Sequence, residues 1–424
     1  MKKNKLILDS KEIIDFLGKD YNGLAEIFSD KFGIINAMLK REELSKYGLY
    51  MYQCLSANAK VLYNLDREVS SGGLGVSEDE KSAMISCLAE AIERYTISYI
   101  PKKEVIYKKK SELPKSRVFQ KFYTYSQKQY DQNKQFANPE KDHLHWTKVV
   151  SLDGKTWKYW PASLIYIPFN ISKPVAETTT TGTAAGIRIA DCIESGLLEL
   201  IERDALMINF MQKLNPPEID IETITGINKK FISTIAKDYS IKIYNLYTDS
   251  GVPTYLSLIW QKKHGVIHYG IGGCANKDSD IAINKSLKEC LFTFFYSKNI
   301  LNERKTNPNE ITALYEHFLY YQKENFNKIL FDSKKIAYKR KKITHKQIID
   351  NLQKNHIDVY YKEITTADVA NTGIKVVKVI APGLIDLNKS HILPRLGADR
   401  FWTVPAKLNI KVKEELRETP HPFP

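Results

Sequence analysis

Two stretches of the chain repeat an arrangement of charged residues that could support metal-assisted chemistry. Residues 86–94 and 195–203 both follow the order Ser-x-x-x-Glu-x-x-Glu-Arg. At about 100° per residue, the serine and both glutamates fall on one helical face, with the arginine at its edge. Asp191 joins the second face one turn earlier. Each predicted helix therefore presents a narrow acidic stripe within an apolar background.

The simplest interpretation of such a stripe is a solvated helix face, because most charged faces are solvated. The second copy and its neighbours Leu197, Leu198, Leu200 and Ile201 argue against this interpretation. Carboxylates in apolar surroundings cost free energy unless a positive group pairs with them. Two such helices packed face to face would bring together four or five carboxylates and two arginines. That set suits a hard cation, typically Mg²⁺ carrying the phosphates of a nucleotide.

Glycine-rich and threonine-rich segments precede the two predicted helices. Gly72–Gly75 precedes the first helix, and Ser77 with Glu80 predicts a capping box at its start. Residues 178–186 precede the second helix. Backbone amides in such segments could approach an anion at a helix N-terminus, although a plain tight turn explains the glycines equally well. The phosphate-binding pattern Gly-x-x-x-x-Gly-Lys-Ser/Thr is absent from the sequence, which excludes a P-loop.

Further helices and strands are predicted from the hydrophobic pattern. Asp153-Gly154 separates two strand-like runs, residues 148–152 and 157–160, and predicts a hairpin. Other strands are predicted at 241–247, 255–260, 266–272 and 376–380, and a third long helix at about 281–299. Lys285 and Glu289 stand one turn apart in that helix, which is typical of a surface ion pair.

The composition, charge and cysteine content indicate which partners and which cellular compartment to expect. The chain has 424 residues, 43% of them hydrophobic, and a net charge of +14, which favours anionic partners or reflects a lysine-rich genome. The basic residues are dispersed and no nucleic-acid motif accompanies them, so we expect no nucleic-acid partner. Five scattered cysteines without Cys-x-x-Cys indicate reduced thiols. Neither a signal-peptide core nor a membrane-length apolar run is present, which predicts a cytoplasmic protein that does not bind membranes.

The sequence ends in Thr419-Pro420-His421-Pro422-Phe423-Pro424. Three alternating prolines cannot continue a helix, and they favour an extended polyproline conformation. The free carboxylate at Pro424 would therefore lie on a stiff segment.

Taken together, these features resemble the YcaO superfamily, and more narrowly its azoline-forming branch, the streptolysin-type cyclodehydratases. The resemblance spans most of the chain and rests on the following segments: Gly72–Gly75, Ser86 to Arg94, Gly182–Gly186, Leu198 to Ala205, Lys285 to Glu289, residues 376–383, Leu396 to Arg400 and Pro420-x-Pro422-x-Pro424. It implies an α+β, YcaO-type ATP-binding fold with mixed sheets, long helices and no P-loop. We expect residues 1–65 to form the N-terminal part of this domain and residues 66–424 its catalytic core. A polar excursion is expected at about 101–145, and the tail occupies 420–424.

The resemblance also implies roles for individual residues. Four glutamates would hold Mg²⁺, namely Glu90, Glu93, Glu199 and Glu202. Six residues would contact ATP, namely Ser86, Arg94, Asp191, Arg203, Lys285 and Glu289. The family's C-terminal tail enters the active site, so Pro420, Pro422 and Pro424 are candidate catalytic residues, with the Pro424 carboxylate suited to orienting groups or transferring a proton.

The implied reaction acts on a ribosomal precursor peptide, as in the biosynthesis of thiazole/oxazole-modified microcins and other bacteriocins. A Cys, Ser or Thr side chain attacks the preceding amide, ATP phosphorylates the resulting oxyanion, and loss of phosphate leaves a thiazoline or oxazoline. The resemblance further implies a separate leader-binding partner similar to ubiquitin-activating enzymes, a flavin dehydrogenase in the same complex, and a homodimer.

Several positions depart from the family pattern. Leu74 replaces a lysine in Gly-Gly-Lys-Gly, Thr181 replaces an asparagine before Gly182, Asp191 replaces a glutamate, and Lys285 replaces an arginine. Two alternatives therefore stand beside the cyclodehydratase. One is a non-catalytic scaffold that docks the precursor and its partner. The other is a YcaO enzyme that forms thioamides or amidines, against which the terminal Pro-x-Pro-x-Pro argues.

Overall fold

The structure is a computed structural model that describes residues 5–7, 10–31, 33–58, 60–61, 72–122, 124–263, 266–300, 307–321 and 325–423. Its helices are α1 (Ser10–Leu17), α2 (Glu80–Thr96), α3 (Gln127–Gln132), α4 (Ile189–Met211), α5 (Gly226–Ile235), α6 (Ser279–Ile300), α7 (Leu314–Tyr320), α8 (His345–Lys354), α9 (Ala367–Ala370) and α10 (Arg400–Lys407). Short 3₁₀ turns connect several of them.

Its strands are β1 (Lys5–Ile7), β2 (Ile35–Arg41), β3 (Tyr50–Ser56), β4 (Gly73–Ser77), β5 (Ile106–Lys109), β6 (His143–Ser151), β7 (Trp157–Pro161), β8 (Thr183–Gly186), β9 (Glu218–Asp220), β10 (Ser240–Asn245), β11 (Thr254–Lys263), β12 (Val266–Ala275), β13 (Lys335–Ala337), β14 (Tyr360–Glu363) and β15 (Lys375–Ile380). The predicted α+β class with long helices is confirmed, and so are the predicted strands and the third long helix.

The chain divides into two compact units. The first comprises Met1–Phe122, Gln127–Leu197 and Val359–Pro382, and the second comprises Tyr123–Ser126, Leu198–Asp358 and Gly383–Pro424. The boundary falls within α4. The predicted boundary at residues 65/66 lies outside the described residues and stays a prediction.

The first unit contains two sheets. One has the strand order β1-β2-β3-β4, and its neighbouring strands pair antiparallel. The other has the order β5-β6-β14-β15-β8, with β7 paired to β6. The β6–β7 pair confirms the hairpin around Asp153-Gly154, where Gly154 takes the positive φ that glycine tolerates. Strand β5, within the segment predicted as a polar excursion, is part of this second sheet.

The second unit contains one mixed sheet of order β12-β11-β10-β9-β13, in which β13 runs parallel to β9. Helix α6 packs on β11 and β12. The part of α4 from Ala205 to Met211 enters a hydrophobic core with residues of β10, β11, β12, α7 and α10. Burying one helical stripe against a sheet in this way is what stabilises a long helix.

Helix α2 begins differently from the prediction. Its N-cap is Asp79, whose carboxylate accepts a hydrogen bond from the backbone N–H of Ser82 at 2.8 Å. The predicted capping box of Ser77 and Glu80 is therefore wrong. Ser77 still belongs to strand β4, and Glu80 is the first helical residue, too early to reach back to the cap. The Glu80 carboxylate instead accepts hydrogen bonds from Lys40 and Tyr52.

Among the described residues, no helix combines the length and apolar character needed to cross a bilayer.

Candidate functional site

The two glutamates of α2 are each held by a backbone N–H of a neighbouring strand. Leu74 in β4 donates to Oε2 of Glu90 at 2.7 Å, and Ala185 in β8 donates to Oε1 of Glu93 at 2.8 Å. Arg94 donates to Oε1 of Glu90 at 2.5 Å, one turn along the helix. Hydrogen bonds to an ionised carboxylate favour its charged form. The predicted pair is thus brought together on one face of α2, and each carboxylate has a fixed orientation.

The glycines before α2 act through close packing. Gly73 and Gly75 lie in strand β4, so the tight turn that was one of the two interpretations is not found at these two glycines. A Cβ atom at Gly75 would lie 1.8 Å from the carbonyl oxygen of Ala83, and one at Gly73 would lie 2.0 Å from that of Cys87. Only glycine lets the strand approach the helix this closely. This approach brings the Leu74 N–H within reach of Glu90, and it is the backbone of Leu74 that makes the contact.

The threonine-rich loop before β8 is fixed by a buried lysine. Lys378 in β15 donates from Nζ to the carbonyl oxygens of Thr179 at 3.0 Å and Thr181 at 2.7 Å. Only 4% of Lys378 is exposed, and these carbonyls contribute to the compensation of its buried charge. The loop leads directly into the strand whose Ala185 N–H holds Glu93.

Two of the predicted ATP contacts lie on the surface of the first unit. Ser86 is an exposed residue of α2. Asp191 is also exposed, and both its oxygens accept hydrogen bonds from Arg188 at 2.6 and 2.8 Å. An exposed pair of this kind contributes little to stability, so it leaves Asp191 accessible to other partners.

The second unit holds a buried group of carboxylates around Arg203. Oε2 of Glu202 accepts a hydrogen bond from the Ala275 N–H at 3.4 Å, and its other oxygen lies 3.5 Å from Nε of Arg203. Oε2 of Glu289 accepts from the Gly273 N–H at 2.8 Å. Glu289 is therefore held by strand β12 rather than by the predicted surface ion pair with Lys285. Lys285 itself is exposed.

Charged side chains of both signs interact in this group. Burial raises the pKa of Glu202, although Arg203 and Lys285 oppose the shift. Burial and the charge of Glu202 raise the pKa of Glu289 above its usual range. Burial opposes the charge of Arg203, yet the surrounding carboxylates raise its pKa; they are Glu202, Glu199, Glu289 and Asp386. Lys285 also acts on Glu202, and Arg395 pairs with Asp386 at 3.2 Å. A cation bound beside Glu202 and Glu289 would stabilise their ionised forms.

The two units anchor their glutamates in the same way. A strand N–H holds a glutamate 16 residues further along the chain in both, as Leu74 holds Glu90 and Gly273 holds Glu289. Gly272, like the β4 glycines, permits close packing, because its Cβ would lie 2.3 Å from the carbonyl oxygen of Ser286. This repeat was not predicted from the sequence. In both cases a glycine directly precedes the anchoring residue, Gly73 before Leu74 and Gly272 before Gly273. This shared position is the signal from which the repeat could have been predicted.

A buried ion triad, also missed, lies one residue beyond Arg203. Arg400 donates to both oxygens of Asp204 at 2.8 and 2.6 Å and to Asp249 at 2.7 Å. Asp204 also accepts from the Ile385 N–H at 2.9 Å. All three charged side chains are less than 10% exposed. Asp249 occurs in an ordinary loop sequence, so nothing in its local pattern marks it as a buried partner.

The C-terminal tail is buried in the second unit. Tyr321 donates a hydrogen bond from its hydroxyl group to the carbonyl oxygen of Pro420. His421 and Phe423 are 1% and 2% exposed, and Pro422 is buried between them. The tail is not helical, as predicted. Pro424, with the carboxylate that was predicted to be catalytic, lies outside the described residues.

The donor set suits Mg²⁺ better than a softer metal. The anchored groups are carboxylates, and oxygen ligands are those that Mg²⁺ prefers. Within the described residues, no three His, Cys, Asp or Glu side chains by themselves form a group that could hold a metal ion. The carboxylates of Glu202 and Glu289, which strand β12 anchors, are oxygen donors of the kind that Mg²⁺ takes.

Comparison with solved structures gives the same fold. A heterocyclase in complex with substrate and cofactor superposes with a TM-score of 0.77 at 19% identity, over 97% of this chain and 57% of that one. A YcaO protein from Methanopyrus kandleri bound with AMPPCP and Mg²⁺ gives 0.61 at 14% identity, over 89% and 88%. The E. coli microcin synthetase McbBCD complex with pro-MccB17 gives 0.63 at 18% identity, over 92% and 97%. At these identities the likeness concerns the fold.

The sequence similarity to a relative covers a smaller part of both chains. An uncharacterised protein of Methanothermobacter thermautotrophicus is 26% identical over 160 residues, which are 35% of this chain and 40% of that protein. The chain thus spans less than two thirds of the length of this relative and of the heterocyclase above.

A protein-family model matches most of the chain. The model for YcaO cyclodehydratases, described as ATP- and Mg²⁺-binding, matches residues 74–385, which include both acidic helices and the anchoring strands β4, β8 and β12. ATP and Mg²⁺ are therefore its cofactors, in agreement with the carboxylate chemistry described above. The chain belongs to the YcaO family.

Proposed function

We propose that the protein catalyses the ATP-dependent cyclodehydration of Cys, Ser or Thr residues in a ribosomal precursor peptide. The side-chain thiol or hydroxyl loses its proton as its sulfur or oxygen adds to the carbonyl carbon of the preceding amide. The oxygen that becomes an oxyanion attacks the γ-phosphorus of ATP, and ADP leaves. Loss of the phosphate, with loss of the amide proton, forms the C=N bond of a thiazoline or oxazoline. Each ring removes the elements of one water from the peptide.

The observation that carries this proposal is the pair of anchored carboxylates in the second unit, Glu202 and Glu289, in a chain of the YcaO family. Burial raises the pKa of both, and a bound Mg²⁺ ion would favour their ionised forms. We propose Glu90, Glu93, Glu199 and Glu202 as the Mg²⁺ ligands. When bound, the ion would neutralise phosphate charge during phosphoryl transfer.

The other predicted residues take supporting roles in this proposal. The proposed ATP contacts are Ser86, Arg94, Asp191, Arg203, Lys285 and Glu289. Leu74 and Gly273 orient glutamates through their backbone N–H groups, so the substitution of lysine by leucine at position 74 leaves this anchoring intact. The tail residues Pro420 and Pro422 help to orient the reacting amide, and the Pro424 carboxylate orients it or accepts its proton.

The proposed reaction needs further proteins. We propose that a separate leader-binding partner similar to ubiquitin-activating enzymes presents the precursor in the cytoplasm. A flavin dehydrogenase in the same complex would oxidise azolines to azoles, and the protein itself would be a homodimer.

The test combines the full chain, the leader-binding partner and the precursor peptide, with and without Mg-ATP. Mass spectrometry follows loss of water from the peptide, and a coupled assay follows phosphate. Glu202→Gln should lower ATP-dependent water loss by roughly 100-fold, since it removes a charged group acting at the transferring phosphoryl group. Glu194→Gln, a half-buried glutamate of the same helix, is the matched control and should stay within about twofold.

The outcomes separate the alternatives. Unchanged peptide mass, or modification that is indifferent to both ATP and Glu202→Gln, contradicts the proposal and favours a docking scaffold. Modification that requires external sulfide or ammonia would favour a thioamide- or amidine-forming enzyme. Calorimetric binding of a non-hydrolysable ATP analogue, measured with and without Mg²⁺, tests the nucleotide site without the partner.

A further inference from the structure

Hydrogen bonds attach the C-terminal segment to the end of α4, the helix that carries Glu202. The Gln212 side chain donates to the Lys413 carbonyl at 3.1 Å and accepts from the Lys413 N–H at 2.8 Å. Arg417 donates from its backbone N–H to the carbonyl of Met211 at 2.7 Å and from Nε to that of Phe210 at 3.1 Å. The last carbonyls of a helix lack intrahelical partners, and this segment supplies them. Residues 413–417 are thereby attached to the C-terminal end of α4.

Beyond Arg417, aromatic rings form a continuous column. The His317 and His421 rings are stacked with centroids 3.9 Å apart and planes 11° apart. His421 in turn stacks with Phe423 at 5.6 Å and 17°, and Phe423 meets Phe210 of α4 edge to face at 5.9 Å. The intervening proline restricts the backbone, so the spacing of the two tail rings is fixed. The column runs from α7 through the tail to α4.

Each histidine of the column is held by a backbone carbonyl. Nε2 of His317 donates to the carbonyl oxygen of Lys389 at 3.0 Å, and Nε2 of His421 donates to that of Asn388 at 2.8 Å. Both rings are fully buried. Burial lowers the pKa of His317 to about 4 and that of His421 well below its usual range. Two neutral rings stack without charge repulsion, and two adjacent carbonyls set their orientation.

We propose that His317 is a positioning residue for the tail, whose ring fixes where His421, and hence the chain end, lies relative to α4 and its glutamates. This inference rests on the proposed function, in which the tail takes part in catalysis. A misplacement of about 1 Å in a reacting geometry can cost roughly 100-fold in rate. A residue that touches neither ATP nor peptide is thus expected to control the rate through the tail.

The experiment compares the wild-type chain with five variants, three of them full-length point variants and two that lack residues 420–424. His317→Ala removes both the ring and its hydrogen bond, and His317→Phe keeps a ring that can stack. Phe318→Leu is the matched control, because Phe318 is a buried neighbour of His317 on the same helix, and its ring packs on Tyr269 with centroids 4.4 Å apart. The two shortened variants lack residues 420–424, one alone and one combined with His317→Ala. Steady-state rates with partner, precursor and Mg-ATP are measured together with deuterium uptake of the C-terminal peptide.

The expected result is a loss in kcat of roughly tenfold or more for His317→Ala, with KM for ATP within about twofold. His317→Phe should recover part of the loss, and Phe318→Leu should show little. Deuterium uptake should rise in the C-terminal peptide of His317→Ala only. In the form lacking residues 420–424, His317→Ala should cause no further loss, because residues that act as a unit are not additive.

Three results would overturn the inference: unchanged tail uptake in His317→Ala, an equal loss in Phe318→Leu, or an undiminished effect of His317→Ala in the shortened chain. If the wild-type protein shows no turnover, the proposed function fails, and the comparison of tail uptake alone then decides whether His317 positions the tail.

Discussion

Removal of the Arg400 side chain is expected to destabilise the second unit strongly. Its guanidinium group bridges Asp204 and Asp249, and all three side chains are buried. Arg400→Leu would leave two carboxylates in a low-dielectric environment without their cation. Removing one partner of a buried ion pair costs about 3–5 kcal/mol. Burial already raises the pKa of Asp204, so proton uptake will recover part of this loss.

The protein offers a matched control for this substitution. Arg340 also pairs with two aspartates, Asp278 at 2.7 Å and Asp280 at 2.8 Å, but 54% of its side chain is exposed. Exposed pairs contribute about 0–1 kcal/mol. Arg340→Leu therefore removes the same guanidinium group where the arginine is exposed and where Asp278 keeps Lys342 at 3.0 Å. The difference between the two variants measures the cost of leaving buried carboxylates without any cation.

Scanning calorimetry is the appropriate assay, because two units need not unfold in one transition. About 4 kcal/mol corresponds to a fall in Tm of roughly 8–16 °C for a unit of this size. Arg340→Leu should lower Tm by no more than a few degrees. The combination of Arg400→Leu with Asp204→Asn should restore part of the loss, because one orphaned charge is removed. Equal shifts for Arg400→Leu and Arg340→Leu would refute the reasoning.

Two further predictions concern packing and pH. Gly75→Ala should lower the free energy of unfolding of the first unit by about 1–3 kcal/mol or more, since its Cβ would lie 1.8 Å from the Ala83 carbonyl; Val76→Ala in the same strand is the calorimetric control. Burial, and to a smaller extent His391, lowers the pKa of His317 to about 4, whereas Glu316 opposes the shift. As pH falls, the imidazole is therefore protonated in the unfolded chain before it is protonated in the folded protein. Stability from this site should be full above about pH 6.5 and fall by about 3 kcal/mol as pH falls towards 4. Denaturant titrations should show a smaller pH effect in His317→Phe, and an unchanged pH effect would contradict the assignment.

Local sequence patterns predicted the elements that carry the chemistry. The spacing of Glu90 with Glu93 and of Glu199 with Glu202 indicated two acidic helices, and both are present. The hairpin at Asp153-Gly154 was predictable because glycine readily adopts the required positive φ. The start of α2 was predicted wrongly, because several nearby residues can cap a helix and only the end of strand β4 selects Asp79.

The sequence by itself determined which residues could do chemistry, and the tertiary structure decided which groups surround them. Periodicity places glutamates on one helix face, because helix geometry depends only on neighbouring residues. That Leu74 and Gly273 hold Glu90 and Glu289 depends on the close packing of strand and helix. That Asp249 meets Arg400, and that His317 meets His421, depends on contacts between residues about 100 or more positions apart. Such contacts form only when burial of the core brings distant segments together, and no local pattern encodes them.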